Sequence, residues 1–353
     1  MGGDIGRAWA VRLATYNVEW FDNLFDDAGM LLDDNGWSGR QNVRRHEQIE
    51  ALGIVFTALD ADGVMVIEAP DHNGRRATVP ALETFARVMG LRARRAIVGF
   101  VNDTQQEIAF LYDPDRLSVR HDPRGDPTGK KGAPDAPRFD GVFRIDVDVD
   151  TAPELIRFSK PPLELAVETA SGAAFRMIGV HAKSKAPHGA RTPDEVIRIS
   201  IANRRKQLAQ CVWLRQRVET HLAEGAPLVV LGDFNDGPGL DEYEKLFGSS
   251  GVEIVLGIDG PPEERLFDPH ARQALQAPLA AKPTTARFFI AKEDRYLSAL
   301  LDYVMISSDL RDRSPEWRIW HPFDDPAIYG VPELRQALLT ASDHFPVTLD
   351  ISL

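Results

Sequence analysis

Short apolar runs in this chain stop abruptly at acidic, amide or imidazole side chains. "PLVVLGDFND" (227–236) is the sharpest case: Asp233, Asn235 and Asp236 follow an unbroken apolar stretch across Gly232. A run of this length and composition reads as a buried strand. Such a strand leaves its terminal carboxylates at the edge of a core, where each needs a cation or hydrogen-bond donors, or must take up a proton. The pattern recurs in "RLATYNVEWF" (12–21), "GVMVIEAP" (63–70), "EIAFLYDPDRL" (107–117), "LELAVET" (163–169), "FRMIGVHAKSK" (175–185), "LLDYVMISSDL" (300–310) and "FPVTLDISL" (345–353).

Helical patterns lie between these strands. Residues 38–59 have apolar residues near helical spacing, with Ser38 as the expected cap. Residues 191–225 begin with Thr192, Pro193 and Glu195, the signature of a capping box with proline in the first turn, and stop at Gly225. The single cysteine, Cys211, falls among apolar residues of this helix and reads as a buried structural thiol. Continuous strands interleaved with a few helices point to two sheets with helices outside them. Segments 121–140 and 256–285, rich in Pro, Gly, Asp and Ala, read as surface loops or insertions. No composition shift divides the chain, so residues 1–353 are expected to form one domain.

Composition narrows the function. No stretch approaches the roughly 18–20 apolar residues that span a bilayer. The N-terminus "MGGDIGRAWAVRL" lacks a signal-peptide core, and Gly6 stands where a myristoylation signal needs Ser or Thr. One cysteine excludes an internal disulfide framework. A cytoplasmic protein is the expectation. The net charge of −12 opposes a long polyanion and favours a small or metal-bridged phosphate. The basic run "NRRKQ" (203–207) reads as a solvated helix face.

Asn17, Glu68, His181, Asp233, Asn235, Asp302, Asp343 and His344 all sit at or just beyond the end of an apolar strand. Carboxylates crowded at one edge of a core repel each other, and a divalent cation removes that penalty. Hard oxygen donors suit Mg²⁺, with Mn²⁺ as a substitute, better than zinc. A histidine beside an aspartate can be oriented by it and act as a base near neutral pH.

In order along the chain, "TYNVEWF", "VIEAP", "GVHAKSK", "GDFND", "LDYVMIS" and "SDHFPV" resemble the endonuclease/exonuclease/phosphatase superfamily of metal-dependent phosphoesterases, from about residue 12 to 350. The resemblance implies an α/β (α+β) four-layer sandwich, two packed mostly antiparallel β-sheets flanked by helices. It implies Glu68 as the main metal ligand, Asn17 as its companion and Asp343 as a contributor. It implies Asp233 and Asn235 as the pair that prepares the nucleophile and holds the phosphate. His344 matches the family's essential histidine, Asp302 the carboxylate that orients it, and His181 a phosphate-contacting or leaving-group histidine. Two positions depart from the pattern: Ile67 replaces a glutamine before the metal glutamate, and Lys160 replaces an arginine. Tyr112 is the candidate for the family's tyrosine by context alone, and core packing suits it better.

The resulting expectation is an Mg²⁺-dependent hydrolase of phosphate esters, foremost a phosphodiester, acting through in-line attack of water. Asp233 and His344 both remain open as the general base. Lys160, Lys183 and Lys185 are expected to hold the phosphate, Lys183 foremost because strand alternation puts it on the His181 face. A small molecule or lipid headgroup is the favoured substrate. A DNA or RNA nuclease is the alternative within the class, and a catalytically silent binding scaffold the alternative outside it.

Overall fold

The computed structural model describes residues 10–102, 104–145, 153–187, 189–238, 248–276, 282–290 and 294–353. The N-terminal stretch read for a targeting signal therefore lies mostly outside the described residues. The strands are β1 (Ala10–Asn17), β2 (Gly63–Ala69), β3 (Arg95–Val98), β4 (Glu107–Tyr112), β5 (Leu117–His121), β6 (Phe143–Ile145) and β7 (Glu154–Ile156). They continue with β8 (Leu163–Thr169), β9 (Ala174–His181), β10 (Leu228–Asp233), β11 (Ala286–Ile290) and β12 (Arg295–Ala299). β13 (Asp302–Ile306), β14 (Glu316–Ile319) and β15 (Val347–Ser352) complete them.

Two sheets carry the architecture, one ordered β14-β15-β1-β2-β4-β3 and the other β13-β10-β9-β8-β5. Each is antiparallel except for one central pair, β1 with β2 and β9 with β10. Strand alternation assigns the faces. In β2, Met65 and Ile67 pack between the sheets, while Val64 and Val66 pack outward beneath helices. In β10, Val229 and Leu231 face the other sheet, and Leu228 and Val230 face outward. Both faces are covered, which explains why these strands are apolar at every position rather than at every second one.

The outer layer over the first sheet includes α1 (Arg45–Leu59), α2 (Thr78–Val88) and the helix Pro332–Ala341. The second sheet is covered by α3 (Pro193–Ala223) and the helices Gly251–Leu256 and Pro269–Gln276. The result is helix, sheet, sheet, helix. At 25 cal/mol per Å², each buried Leu, Ile, Val or Phe in these three interfaces contributes roughly 1.5–3 kcal/mol.

α3 starts where the capping box places it. The Thr192 hydroxyl accepts from the Glu195 N–H, and the Glu195 carboxylate accepts from the Thr192 N–H, each at 3.2 Å. α1 differs from expectation: it begins at Arg45, not at Ser38. Residues 38–44 instead form a turn in which the Ser38 hydroxyl donates to the Val43 carbonyl and Asn42 adopts φ 59°. β1 ends at Asn17 rather than running to Phe21, because Glu19 and Trp20 turn left-handed at φ 48° and 59°. Segment 256–285 carries the helix Pro269–Gln276, capped by Asp268, whose Oδ1 accepts from the His270 and Ala271 N–H groups.

Candidate active site

The two parallel pairs deliver their carboxyl ends to the same edge of the sandwich. β1 ends at Asn17 and β2 runs out through Glu68; β9 ends at His181 and β10 at Asp233. Asp233 is in register with His181 on one side and with Asp302, the first residue of antiparallel β13, on the other. Three polar side chains, those of His181, Asp233 and Asp302, therefore stand in one row across three strands. The sheets meet here: Asn17 Nδ2 donates to Asp233 Oδ2 at 3.1 Å across a sequence separation of 216 residues.

Local backbone geometry aims each group. Gly232 has φ 141°, and a Cβ there would lie 2.0 Å from the Val180 carbonyl oxygen, so the β9–β10 approach requires glycine. Glu68 sits on a bulge between Ile67 and Ala69 with φ 61°. A left-handed, non-glycine residue at a bulge is a costly conformation that re-aims a side chain. Here Glu68 Oε2 accepts from the Trp20 N–H at 2.9 Å. Asn235 is also left-handed, at φ 49°. Its N–H donates to Asp233 Oδ1 at 2.7 Å, and its Nδ2 to Asp233 Oδ2 at 3.1 Å and the Ala182 carbonyl at 3.2 Å.

His344 Nδ1 donates to Asp302 Oδ2 at 2.8 Å, and its Nε2 lies 4.0 Å from Asp343 Oδ1. A carboxylate only accepts, so this bond fixes the proton on Nδ1. Burial alone would lower the His344 pKa; the charges of Asp302, Asp233 and Asp343 outweigh it and hold the imidazole well above its usual value. Asp233 is 1% exposed, and burial pushes its carboxyl up to about 7 against the favourable charge of His344. One donor atom from each of Asp233, Asp302 and His344 falls within 4.8 Å of the others. That spacing suits a cation, and the Asp302–His344 bond commits two of the three to each other. Among the described residues, Asp302 Oδ1 and His181 Nδ1 are buried with no hydrogen-bond partner.

Lys160 Nζ donates to His181 Nε2 at 3.2 Å. Burial, reinforced by the charges of Lys160 and His344, keeps His181 well below its usual pKa and therefore neutral. Burial also lowers the Lys160 pKa, opposed by Glu68 and Asp233. Lys160 is thus held in the site. Lys183 is half-buried, its pKa lowered by burial and by Lys206, and its backbone is tied to Gln210 and Gln207. Lys185 is directed elsewhere: its ammonium pairs with Asp236, a fully buried carboxylate that also accepts from the Gly251 N–H at 2.6 Å. Tyr112 pairs with Gly63, at the opposite end of β2 from Glu68, and stacks on Phe110.

Glu19 lies outside the strand-end set that the sequence points to. It accepts from the Asp343 N–H at 3.0 Å and pairs with Arg40, and burial followed by the Asp343 charge pushes its carboxyl up to about 7. Its place two residues after Asn17 was the available signal. Thr285 carried no signal; its hydroxyl accepts from the Leu301 and Asp302 N–H groups, each at 3.0 Å, anchoring the start of β13.

The profile of the Endonuclease/Exonuclease/phosphatase family matches residues 14–344. The chain belongs to this family. That makes it a phosphoester hydrolase by family, of a kind that generally depends on a divalent metal. Among solved structures, TDP2 from Caenorhabditis elegans is similar at 14% identity and TM-score 0.51, covering 100% of this chain and 78% of that one. A selenomethionine crystal form of the same worm protein gives 14% identity and TM-score 0.50, covering 100% of this chain and 77% of that one. At these identities the likeness concerns the fold. No curated protein sequence matches the chain.

Proposed function

We propose that this family member hydrolyses phosphate esters, foremost phosphodiesters, with Mg²⁺ or Mn²⁺, by in-line attack of water. The observation that supports it best is the convergence of Asn17, Glu68, His181, Asp233, Asp302 and His344 on adjoining strand ends, joined by the Asn17–Asp233 and His344–Asp302 hydrogen bonds. The donor set fits a hard cation. Glu68, Asn17 and Asp343 would hold it with oxygen ligands, and a carboxylate aimed by a bulge supplies the necessary negative charge. Bound there, the cation would offset charge on the phosphoryl oxygens.

The chain's own residues then divide the work. His344, ringed by Asp302, Asp233 and Asp343, is a charged donor to a phosphoryl oxygen, a role typically worth a few kcal/mol. Asp233 accepts the proton of the attacking water, since an imidazolium cannot. Asn235 and Asn17 keep its carboxylate in place. Lys160 adds positive charge and, through its bond to His181 Nε2, puts the His181 proton on Nδ1. A silent scaffold would have no use for this arrangement. The acidic charge favours a small diester or a lipid headgroup over long nucleic acid. A cytoplasmic setting fits the single, buried cysteine, and among the described residues no helix is long and apolar enough to cross a membrane.

The test is turnover of bis(p-nitrophenyl) phosphate with Mg²⁺ and with Mn²⁺. The parent should turn over, and Glu68→Ala and His344→Ala should each lose at least about a hundredfold, on the scale of removing one transition-state donor. Parent-like rates in both variants would sink the assignment.

A further inference from the structure

The rim of the site beside His344 is built by the β11–β12 ribbon. The Arg287 N–H donates to the Asp343 carbonyl at 2.7 Å, the Phe345 N–H donates to the Thr285 carbonyl at 2.6 Å, and Ala286 forms an antiparallel bridge with His344. Side chains directly opposite each other in an antiparallel pair share a face. Ala286 and Phe288 therefore lie on the His344 side, where the Phe288 and His344 rings meet edge-on at 5.5 Å. Arg287 falls on the Asp343 side, one strand position from the catalytic histidine.

Arg287 is unlike most arginines of this acidic chain. Arg12, Arg92, Arg94, Arg176 and Arg217 each reach a carboxylate. Among the described residues, the Arg287 guanidinium makes no ion pair and no side-chain hydrogen bond, although Asp343 is its strand neighbour. It lies over the Tyr296 ring, 3.4 Å from its centre, with the Phe323 ring at 5.5 Å. Both rings are open to solvent, Tyr296 at 51% and Phe323 at 44% exposure. An arginine held on aromatic faces has already lost much of its rotamer freedom while its in-plane N–H groups stay available. Such a fork matches the oxygens of a phosphate in two parallel hydrogen bonds. The bulk charge of −12 repels a multiply charged substrate, so a local cation at the rim changes which substrates can dock.

We propose that Arg287 is a specificity-determining residue that takes a second phosphate group on the substrate, beside the phosphoester that the centre cleaves. The favoured substrate class is thus a bisphosphate-type ester. The inference rests on the phosphoesterase reading for the first phosphate and adds the second. A nucleotide and a lipid-derived headgroup both offer this chemistry.

The test is calorimetric binding of two matched pairs of probes. One pair is thymidine 3′,5′-bisphosphate against thymidine 5′-monophosphate; the other is inositol 1,4-bisphosphate against inositol 1-phosphate. The parent should prefer the bisphosphate of at least one pair by roughly tenfold or more, the scale of a charge-assisted hydrogen bond. The responding pair identifies the source. Arg287→Ala should bring that ratio close to one, Arg287→Lys should keep part of it, and Tyr296→Ala, which removes only the stack, should lose part of it. Melting curves confirm folded variants. A ratio near one in both pairs for the parent overturns the proposal, as does a preference that survives Arg287→Ala. Turnover of bis(p-nitrophenyl) phosphate separates the two readings. Turnover without a bisphosphate preference refutes this inference alone, and a preference without turnover refutes the catalytic reading alone.

Discussion

Replacing Asp302 by asparagine keeps the shape of the side chain and removes its charge. Asp302 is 1% exposed, and its Oδ2 accepts from His344 Nδ1 at 2.8 Å. A hydrogen bond to a charged group contributes about 1.5–3 kcal/mol, which converts to roughly a 10- to 150-fold effect. The loss of charge acts further, because the Asp302 carboxylate is the largest favourable influence keeping a proton on His344. An asparagine that presented its NH₂ group would also reverse the tautomer. We therefore expect kcat to fall by at least about tenfold, and up to about 10⁴-fold if the tautomer flips as in other carboxylate–histidine pairs. KM should change little, since Asp302 lies behind the imidazole rather than toward the substrate. The assay is steady-state hydrolysis of bis(p-nitrophenyl) phosphate with Mg²⁺ across pH. The alkaline limb set by His344 should move to lower pH in the variant, because its imidazolium loses its main stabilising charge. A folded Asp302→Asn enzyme within threefold of the parent kcat, with an unmoved pH profile, would refute the reasoning.

Two further outcomes follow from groups outside the reacting centre. Lys185→Ala should lower stability by about 2 kcal/mol in urea unfolding, because it removes the nearest cation from the fully buried Asp236 while Arg204 at 3.7 Å and the Gly251 N–H remain; a raised KM with unchanged stability would instead return Lys185 to the substrate. Burial pushes the Glu107 carboxyl up to about 7, opposed by N–H donors from Asn102 and His72. A carboxyl raised above its unfolded value of about 4.3 favours the fold fully below that value and loses the contribution as pH climbs through about 7. Glu107→Gln should therefore gain stability relative to the parent between pH 5 and pH 8, and parallel urea midpoints at the two pH values would count against it.

The strand-end residues were legible because apolar runs and their polar stops are local features. Asn17, Glu68, His181, Asp233, Asp302 and His344 could all be read that way, and the structure brings all six to one edge. The α3 cap was legible for the same reason: Thr192 and Glu195 satisfy each other within a single turn. The Ser38 expectation failed because a serine hydroxyl serves a turn as readily as a helix, and here it bonds the Val43 carbonyl. The expectation that Lys185 holds the phosphate also differs from its place in the structure, where it pairs with Asp236. β9 ends at His181, and beyond a strand the period of two no longer assigns sides. Arg287 and Thr285 carried no signal, since their roles depend on pairing with residues 343–345 and with the start of β13.

Periodicity, turn chemistry and charge depend on neighbours within a few residues, so the order of amino acids alone was enough to specify buried strands, outer helices and the acidic ends of the strands. Which ends would meet was a different matter. The Asn17–Asp233 contact exists because two sheets pack face to face, and the Glu68 bulge because β4 pairs with β2 one residue out of step. The proton placements on His344 and His181 arise only once burial strips water from carboxylates, imidazoles and an ammonium held within hydrogen-bonding distance. Those effects depend on distance through space and on excluded solvent, and neither is written in chain order.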